Sequence, residues 1–151
     1  MARHKDYPYS QFNFLVEWEG MDGTTTQAGF QEVSGLGMEI AIAEYRSGKS
    51  ATNEPIKITG LAKTPDVTLK RGVMGALDLF TWIDAVRNGS QEQGKNVRIT
   101  LLSETQEHVL RWVLKTARPM KYTGPALNGK GADVAIEELT LSVERIEMEA
   151  A

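Results

Sequence analysis

Asp66-Val-Thr-Leu-Lys-Arg-Gly72 runs directly into Val73-Met-Gly-Ala-Leu-Asp-Leu-Phe-Thr-Trp-Ile-Asp-Ala-Val-Arg-Asn-Gly89. The first segment predicts a strand ending at a glycine corner, and the second predicts a helix over residues 73–88 that Asn88-Gly89 stops. Leu79 and Trp82 are predicted to lie on the flank of this helix. Its buried face is predicted from apolar residues at three- and four-residue steps: Val73, Ala76, Leu77, Phe80, Ile83 and Val86. The rest of the chain is patterned as strands. One helix is too little to cover them, so the sheets need another partner.

The composition indicates one soluble globular domain. The 151 residues are enough for a real core, and 41% are hydrophobic and 25% charged. The first residues lack the apolar run of a secretory signal, and no segment approaches the roughly 18 apolar residues of a membrane span. The absence of cysteine excludes disulfides and thiolate chemistry and fits cytoplasmic synthesis. A net charge of −3 gives no indication of the basic surface with which a protein binds nucleic acid.

Eight segments read as strands around that helix. Tyr9 to Trp18 alternates cleanly, and the turn at 21–25 favours a hairpin into residues 27–33. Residues 46–55 are polar and rich in breakers, which predicts a long loop. The remaining strands are predicted at 38–45, 56–59, 66–70, 97–101, 108–122 and 134–148.

The last strand changes its apolar parity twice. Val134 and Ile136 share one parity, Leu139 and Leu141 the other, and Met148 returns to the first. Such changes predict β-bulges near residues 137–138 and 144–145. The glutamates of this strand are interpreted as an exposed, solvating face that discourages wrong edge pairing: Glu137, Glu138, Glu144, Glu147 and Glu149.

No motif in the chain builds a catalytic or cofactor site. Gly48-Lys49-Ser50 ends like a phosphate-binding loop, but the glycine required five residues earlier is Ala43, and no helix follows. His4 and His108 have no neighbours at metal-ligand spacing. The sequence therefore predicts no catalytic residues, no cofactor and no metal, and a protein that is not an enzyme.

Six motifs occur in an order that resembles the tail tube proteins of contractile phages and of phage-tail-like contractile injection systems. They span almost the whole chain: residues 8–17, 29–36, 44–48, 66–72 leading into 82–89, 121–125 and 134–138. Each motif alone is weak, and the order makes them specific.

The resemblance implies a mainly β fold, a small barrel or sandwich over residues 1–151 with one flanking helix at 73–88 and an extended loop at about 45–55. Residues 1–10 would form an N-terminal arm. It implies homohexameric rings that stack into a hollow tube, driven through a target envelope by a contractile sheath. Baseplate or hub proteins, tube-terminating proteins and a cargo of effector protein or DNA would be its partners, in a phage tail or tail-like particle.

The resemblance also suggests which residues meet other subunits. The loop would lie between stacked rings, and the arm through Tyr9 at subunit boundaries. The expected contacts are Tyr9, Tyr45, Arg46, Lys49, Asn53 and Glu54. The helix would brace the outside of the subunit through Leu77, Phe80, Trp82 and Ile83, with its polar face toward the sheath.

Two other functions stay open on the residues alone. A monomeric β-barrel could bind a small ligand in an apolar interior, with residues 45–55 as its lid. A nucleotide enzyme would need the incomplete loop at Lys49. Whether the particle is a phage tail or an injection system is also left open, with a slight preference for the injection system.

Overall fold

Most of the chain forms antiparallel strands, as its alternating patterns predict. The computed structural model describes residues 7–18, 30–49, 51, 53–75, 77–89 and 94–151. Its elements are β1 (Phe14–Trp18), β2 (Phe30–Ser34), β3 (Glu39–Tyr45), β4 (Ile56–Lys63), β5 (Val67–Gly72), α1 (Asp78–Arg87), β6 (Lys95–Leu102), β7 (His108–Thr123), β8 (Ile136–Ser142) and β9 (Arg145–Ala150).

Two sheets share the long strand β7. The first sheet is ordered β1-β6-β7-β9, and the second continues from the other end of β7 through β8 and β5 to β2. Within the described residues β1 and β2 each pair on one side only. The fold is therefore an open sandwich, which confirms the predicted mainly β class with one helix.

Strand β7 passes from one sheet to the other at Thr116. This residue has a φ of 53°, in the left-handed region, and its backbone N–H donates to Asn96 Oδ1 at 3.2 Å. The pairing of β6 with β7 shifts beside it, between Lys95 and Val97. Leu114 and Ala117 are both fully buried, so the inward parity changes across the bend. The bend lets one strand serve both sheets.

The core lies between the two sheets. Its members come from both and from α1, and they include Val16, Val67, Leu69, Leu79, Val97, Ile99, Leu114, Leu139 and Leu141. Trp82 of the helix stacks on Trp18 of β1 with ring centroids 5.7 Å apart, and Phe30 meets Trp18 edge-on at 6.0 Å. These aromatic contacts hold the helix at the end of the sandwich where β1 and β2 begin to separate.

The predicted start and buried face of the helix are wrong. Residues 73–75 and Leu77 are not helical, Gly75 has a φ of 87°, and α1 begins at Asp78, whose carboxylate suits the positive N-terminal end of a helix. Leu79 and Trp82 are the buried residues, not a flank. Four members of the predicted face are exposed: Val73, Leu77, Phe80 and Val86. Ile83 packs against the core, Ala76 is outside the described residues, and the stop at Asn88-Gly89 is confirmed.

The predicted hairpin between the first two strands is also wrong. Its turn at 21–25 lies outside the described residues, but β1 pairs with β6 and β2 pairs with β5. A turn motif predicts that the chain reverses direction, but it does not predict that the two flanking strands pair with each other. Here they end in different sheets.

Neither β-bulge predicted near the C-terminus is present: the position near 144–145 is a break between two strands, and the position at 137–138 is regular. β8 ends at Ser142 and β9 starts at Arg145, so the chain changes sheet near residues 144–145. β8 pairs with β5 without a break from Ile136 to Leu141, so there is no bulge at 137–138. The change of apolar parity between Ile136 and Leu139 indicates a bulge only if Glu137 faces solvent. Glu137 is 5% exposed and shares the core face with Leu139 and Leu141.

Candidate assembly surface

Strands β3 and β4 continue the register of β2 and β5. Ser34 pairs with Thr68, and after a short break Glu39 pairs with Lys63 in the same register. At the break Gly35 has a φ of 93°, and a β-carbon there would lie 2.1 Å from the carbonyl oxygen of Asp66. The backbone segments at Gly35 and Asp66 therefore pass very close to each other, and only glycine fits at this junction. We call the β3–β4 pair, residues 39–63, the ribbon.

Every described side chain of the two ribbon strands is exposed. The exposed side chains include large apolar ones, which would normally be buried: Ile40, Ile42, Tyr45, Ile56, Ile58 and Leu61. An isolated two-stranded pair is marginally stable in water at best. Contiguous exposed apolar surface marks an interaction site.

The two faces of the ribbon differ in chemistry. Residues paired across an antiparallel ladder lie on the same face. The pairs Tyr45–Ile56 and Ala43–Ile58 therefore form one apolar surface. The opposite face carries the Glu44–Lys57 pair beside Ile42, so its apolar surface is interrupted by charge.

The tip of the ribbon is polar, as the predicted loop requires. Arg46 donates from Nη2 to Asn53 Oδ1 at 2.9 Å, which closes the loop across its neck. The backbone N–H of Lys49 donates to Ser47 Oγ in an exposed turn. No helix begins at this turn, so the described part of the phosphate-loop-like motif is a ribbon tip. Ser50 lies outside the described residues.

A groove opens between the separated edges of the two sheets. Its volume is about 530 Å³. Tyr9 lies on it, together with residues from β1, β2, β6 and β7, among them Phe14, Val33 and Trp112, and with Phe12 before β1 and Leu36 after β2. None of the described residues between 45 and 55 lines it, so this groove does not show the lid predicted for a ligand-binding barrel. Of the predicted contact residues, Tyr9 lies on the groove, and Tyr45, Arg46, Lys49, Asn53 and Glu54 lie at the far end of the ribbon.

A buried ionic cluster fixes α1 to the second sheet. Arg71 donates from Nε to Glu137 Oε1 at 2.7 Å, and its Nη atoms bind the carboxylate of Asp78 in the first turn of the helix. Tyr122 donates its hydroxyl to Glu137 Oε2 at 2.7 Å. Burial raises the pKa of Tyr122 to about 12, and the hydrogen bond to Glu137 adds to the effect.

The same cluster keeps Arg71 charged. Burial alone lowers the pKa of Arg71, but hydrogen bonds to Asp78 and Glu137 outweigh it, so the pKa lies above its usual value. Glu137 therefore does not belong to the solvated acidic face on which the sequence pattern placed it. Arg71 and Glu137 lie directly opposite each other on β5 and β8, and this pairing between distant parts of the chain is not visible in the local sequence pattern.

The described residues assemble no metal-ligating group of three or more side chains. His108 is exposed at the start of β7, as expected, and His4 lies outside the described part of the chain. Within the described residues no helix is long and apolar enough to cross a bilayer. The main unexplained surface of the described chain is thus the ribbon together with the open groove.

Comparison with known proteins agrees with the mainly β fold. The model of one family, described as T4-like virus tail tube protein gp19, matches residues 10–147. A chain in the cryo-EM structure of an extracellular contractile injection system, the PVC sheath–tube complex in its extended state, is 28% identical with a TM-score of 0.83, over 97% of this chain and 94% of that one. No curated protein sequence matches the chain.

Two further structures are similar. A chain in the cryo-EM structure of the anti-feeding prophage tube-terminating cap is 26% identical with a TM-score of 0.84, over 100% of this chain and 97% of that one. Hcp1 from Flavobacterium johnsoniae is 15% identical with a TM-score of 0.58, over 91% of this chain and 95% of that one. The latter similarity shows a shared fold.

Proposed function

The chain belongs to the T4-like virus tail tube protein family, and from this we propose that it is the structural subunit of the inner tube of a contractile injection system. The similar chains at 26–28% identity come from injection-system particles and are covered almost end to end. This favours the injection system over a phage tail. The role is structural and not enzymatic.

The observation that best supports the proposal is the exposure of every side chain in the two strands of the ribbon. A subunit that exposes both faces of a two-stranded ribbon, with six large apolar side chains, is incomplete alone. Closing exposed strands against neighbouring copies removes edges that would otherwise aggregate. Assembly with other copies therefore explains why the fold keeps so much uncovered strand surface.

We infer rings of six copies that stack into a hollow tube. The six-fold symmetrised baseplate of the anti-feeding prophage contains a chain 26% identical to this one, which supports a six-fold ring. The partners proposed for the tube are a contractile sheath, a baseplate and a terminating protein, the classes named for the similar structures. An effector protein or DNA is the proposed cargo, and the particle is assembled after cytoplasmic synthesis and can act outside the cell.

The residues predicted to meet other subunits keep that proposed role. Residues 1–151 act as one tube domain, with an arm at 1–10 that places Tyr9 at the subunit boundary. The ribbon tip contacts the next ring through Arg46, Lys49, Asn53 and Glu54, since it is polar and projects beyond the sandwich. On the helix, the exposed Leu77 and Phe80 are the residues available to an outer partner, while Trp82 and Ile83 hold α1 to the core.

Negative-stain electron microscopy of the purified chain tests this function. We expect rings and open-ended rods, because head-to-tail stacking does not close. Arg46→Glu should leave rings but shorten or abolish rods, since it breaks the bond to Asn53 and reverses the charge of the tip. Lys130→Glu is the matched control, with the same charge change in another exposed turn. A chain that stays monomeric at high concentration would overturn the proposal.

A further inference from the structure

We propose that the apolar face of the ribbon, formed by Tyr45, Ile56 and Ile58, lies in the open groove of a second copy of this chain. The inference rests on the proposed function, since a ring brings copies side by side. It goes further by joining two surfaces of the subunit, the ribbon and the groove, into one contact.

The ribbon supplies a surface of suitable chemistry. Tyr45, Ile56 and Ile58 are each a little over half exposed, and their shared face carries no charged residue between Tyr45 and Ile58. The opposite face presents Glu44 and Lys57 at the same level. An apolar groove therefore selects the first face and leaves the charged pair to solvent or to other polar groups.

The groove supplies the complementary surface. Phe12 at its rim is 69% exposed, an unusual position for phenylalanine, and Phe14, Leu36 and Trp112 are only partly buried. Its polar lining is confined to uncharged side chains and Glu32. Within the described residues the two strands that flank it, β1 and β2, each have a partner on one side only. Inserted side chains would complete the core where the sandwich is open.

The ribbon of the same copy does not fill this groove. Val33 and Leu36 of the groove belong to the segment that leads into the ribbon, and β3 continues the register of β2 away from it. A strand of seven residues spans roughly 23 Å, so its far end at Tyr45 lies well away from its base. All side chains of β3 and β4 are exposed in the single chain. A ribbon that occupies this groove therefore belongs to another copy.

Disulfide trapping tests the contact directly, because the chain contains no cysteine. Two single-cysteine chains of different mass, one Phe12→Cys and the other Ile58→Cys, are co-assembled and oxidised. We expect the mixed disulfide to form at least ten times faster than with Ile42→Cys in place of Ile58→Cys. Ile42 is the matched control, since it is equally exposed (54% against 52%) but lies on the opposite ribbon face.

The outcomes separate this inference from the proposed function. Rings or rods that form normally, while Ile58→Cys links to Phe12→Cys no faster than Ile42→Cys does, would overturn the groove contact and leave the tube function standing. Failure of the unmodified chain to assemble at all would contradict the tube function first. A small molecule retained in the groove of assembled rings in native mass spectrometry would also overturn the inference, because the groove would then be occupied.

Discussion

Strands β2 and β5 and the ribbon strands β3 and β4 are two halves of one long antiparallel strand pair, and they differ in what covers them. In the first half Val67 and Leu69 are fully buried in the core, and β5 is also paired with β8 in the same sheet. In the second half every side chain is exposed, although the register is unchanged across Gly35. The same backbone pairing thus serves folding in one half and, under the proposed function, assembly in the other.

The difference shows that a strand pattern in the sequence does not reveal whether the strand is buried within its own subunit or against another molecule. Alternating or apolar residues predict a strand in both halves. Only the first half has a facing sheet, a helix and a buried ionic cluster to complete it. Substitutions in the first half should therefore change the stability of the monomer, and those in the second half should change assembly.

Arg71→Met should give the largest loss of monomer stability. It leaves Glu137 buried without its ion pair and frees Asp78 of the helix from the sheet. Breaking a buried pair by removing one partner costs about 3–5 kcal/mol. Urea unfolding of dilute protein measures the change. The double variant Arg71→Met/Glu137→Met should recover a substantial part, and a single-variant loss below about 1 kcal/mol would contradict the structural role of the cluster.

Gly35→Ala should have the next largest effect, at the junction of the two halves. Its β-carbon would clash with the carbonyl of Asp66, and the φ of 93° is unfavourable for alanine. We expect a loss of about 1–3 kcal/mol. Gly48→Ala at the ribbon tip is the control, because nothing lies within 4 Å of its β-carbon. Equal stability of the two variants would refute the close crossing at Gly35.

Tyr122→Phe should cost about 1.5 kcal/mol at pH 9, because it removes a hydrogen bond to a charged acceptor. The pKa of Tyr122 is about 12 in the folded chain and about 10 in the unfolded one. Its contribution is therefore complete below about pH 10 and is lost as the pH rises toward 12. The difference between the two proteins in urea unfolding should shrink over that interval. A difference that stays constant from pH 9 to pH 12 would argue against the bond.

Several features of the fold could be predicted from local pattern. The long strand β7, the stop at Asn88-Gly89, the loop at 46–55 and the position of an irregularity near residue 144 are all set by nearby residues. The resemblance of six ordered motifs also predicted the tail tube family, which the comparison confirms.

The rest depended on contacts between distant parts of the chain. The helix buries Leu79 and Trp82 because Trp18 and the Arg71 cluster set its rotation and its start. Glu137 lies inside because Arg71 and Tyr122 satisfy it, which no periodicity records. The groove arises because β1 and β2 join different sheets. None of these long-range contacts can be predicted from the residues next to them in the sequence.

The double substitution Ile56→Ser/Ile58→Ser should have the smallest effect on the monomer and a large one on assembly. Both side chains are more than half exposed, so each change should alter the free energy of unfolding by no more than about 0.5 kcal/mol. Leu69→Ala, on β5 in the covered half of the strand pair, should cost about 2–5 kcal/mol. Urea unfolding of dilute protein and sedimentation velocity of concentrated protein measure the two properties separately. If the serine variant unfolds more easily by over 1 kcal/mol yet still forms rings, the ribbon stabilises its own subunit, and the division between a folding half and an assembly half fails.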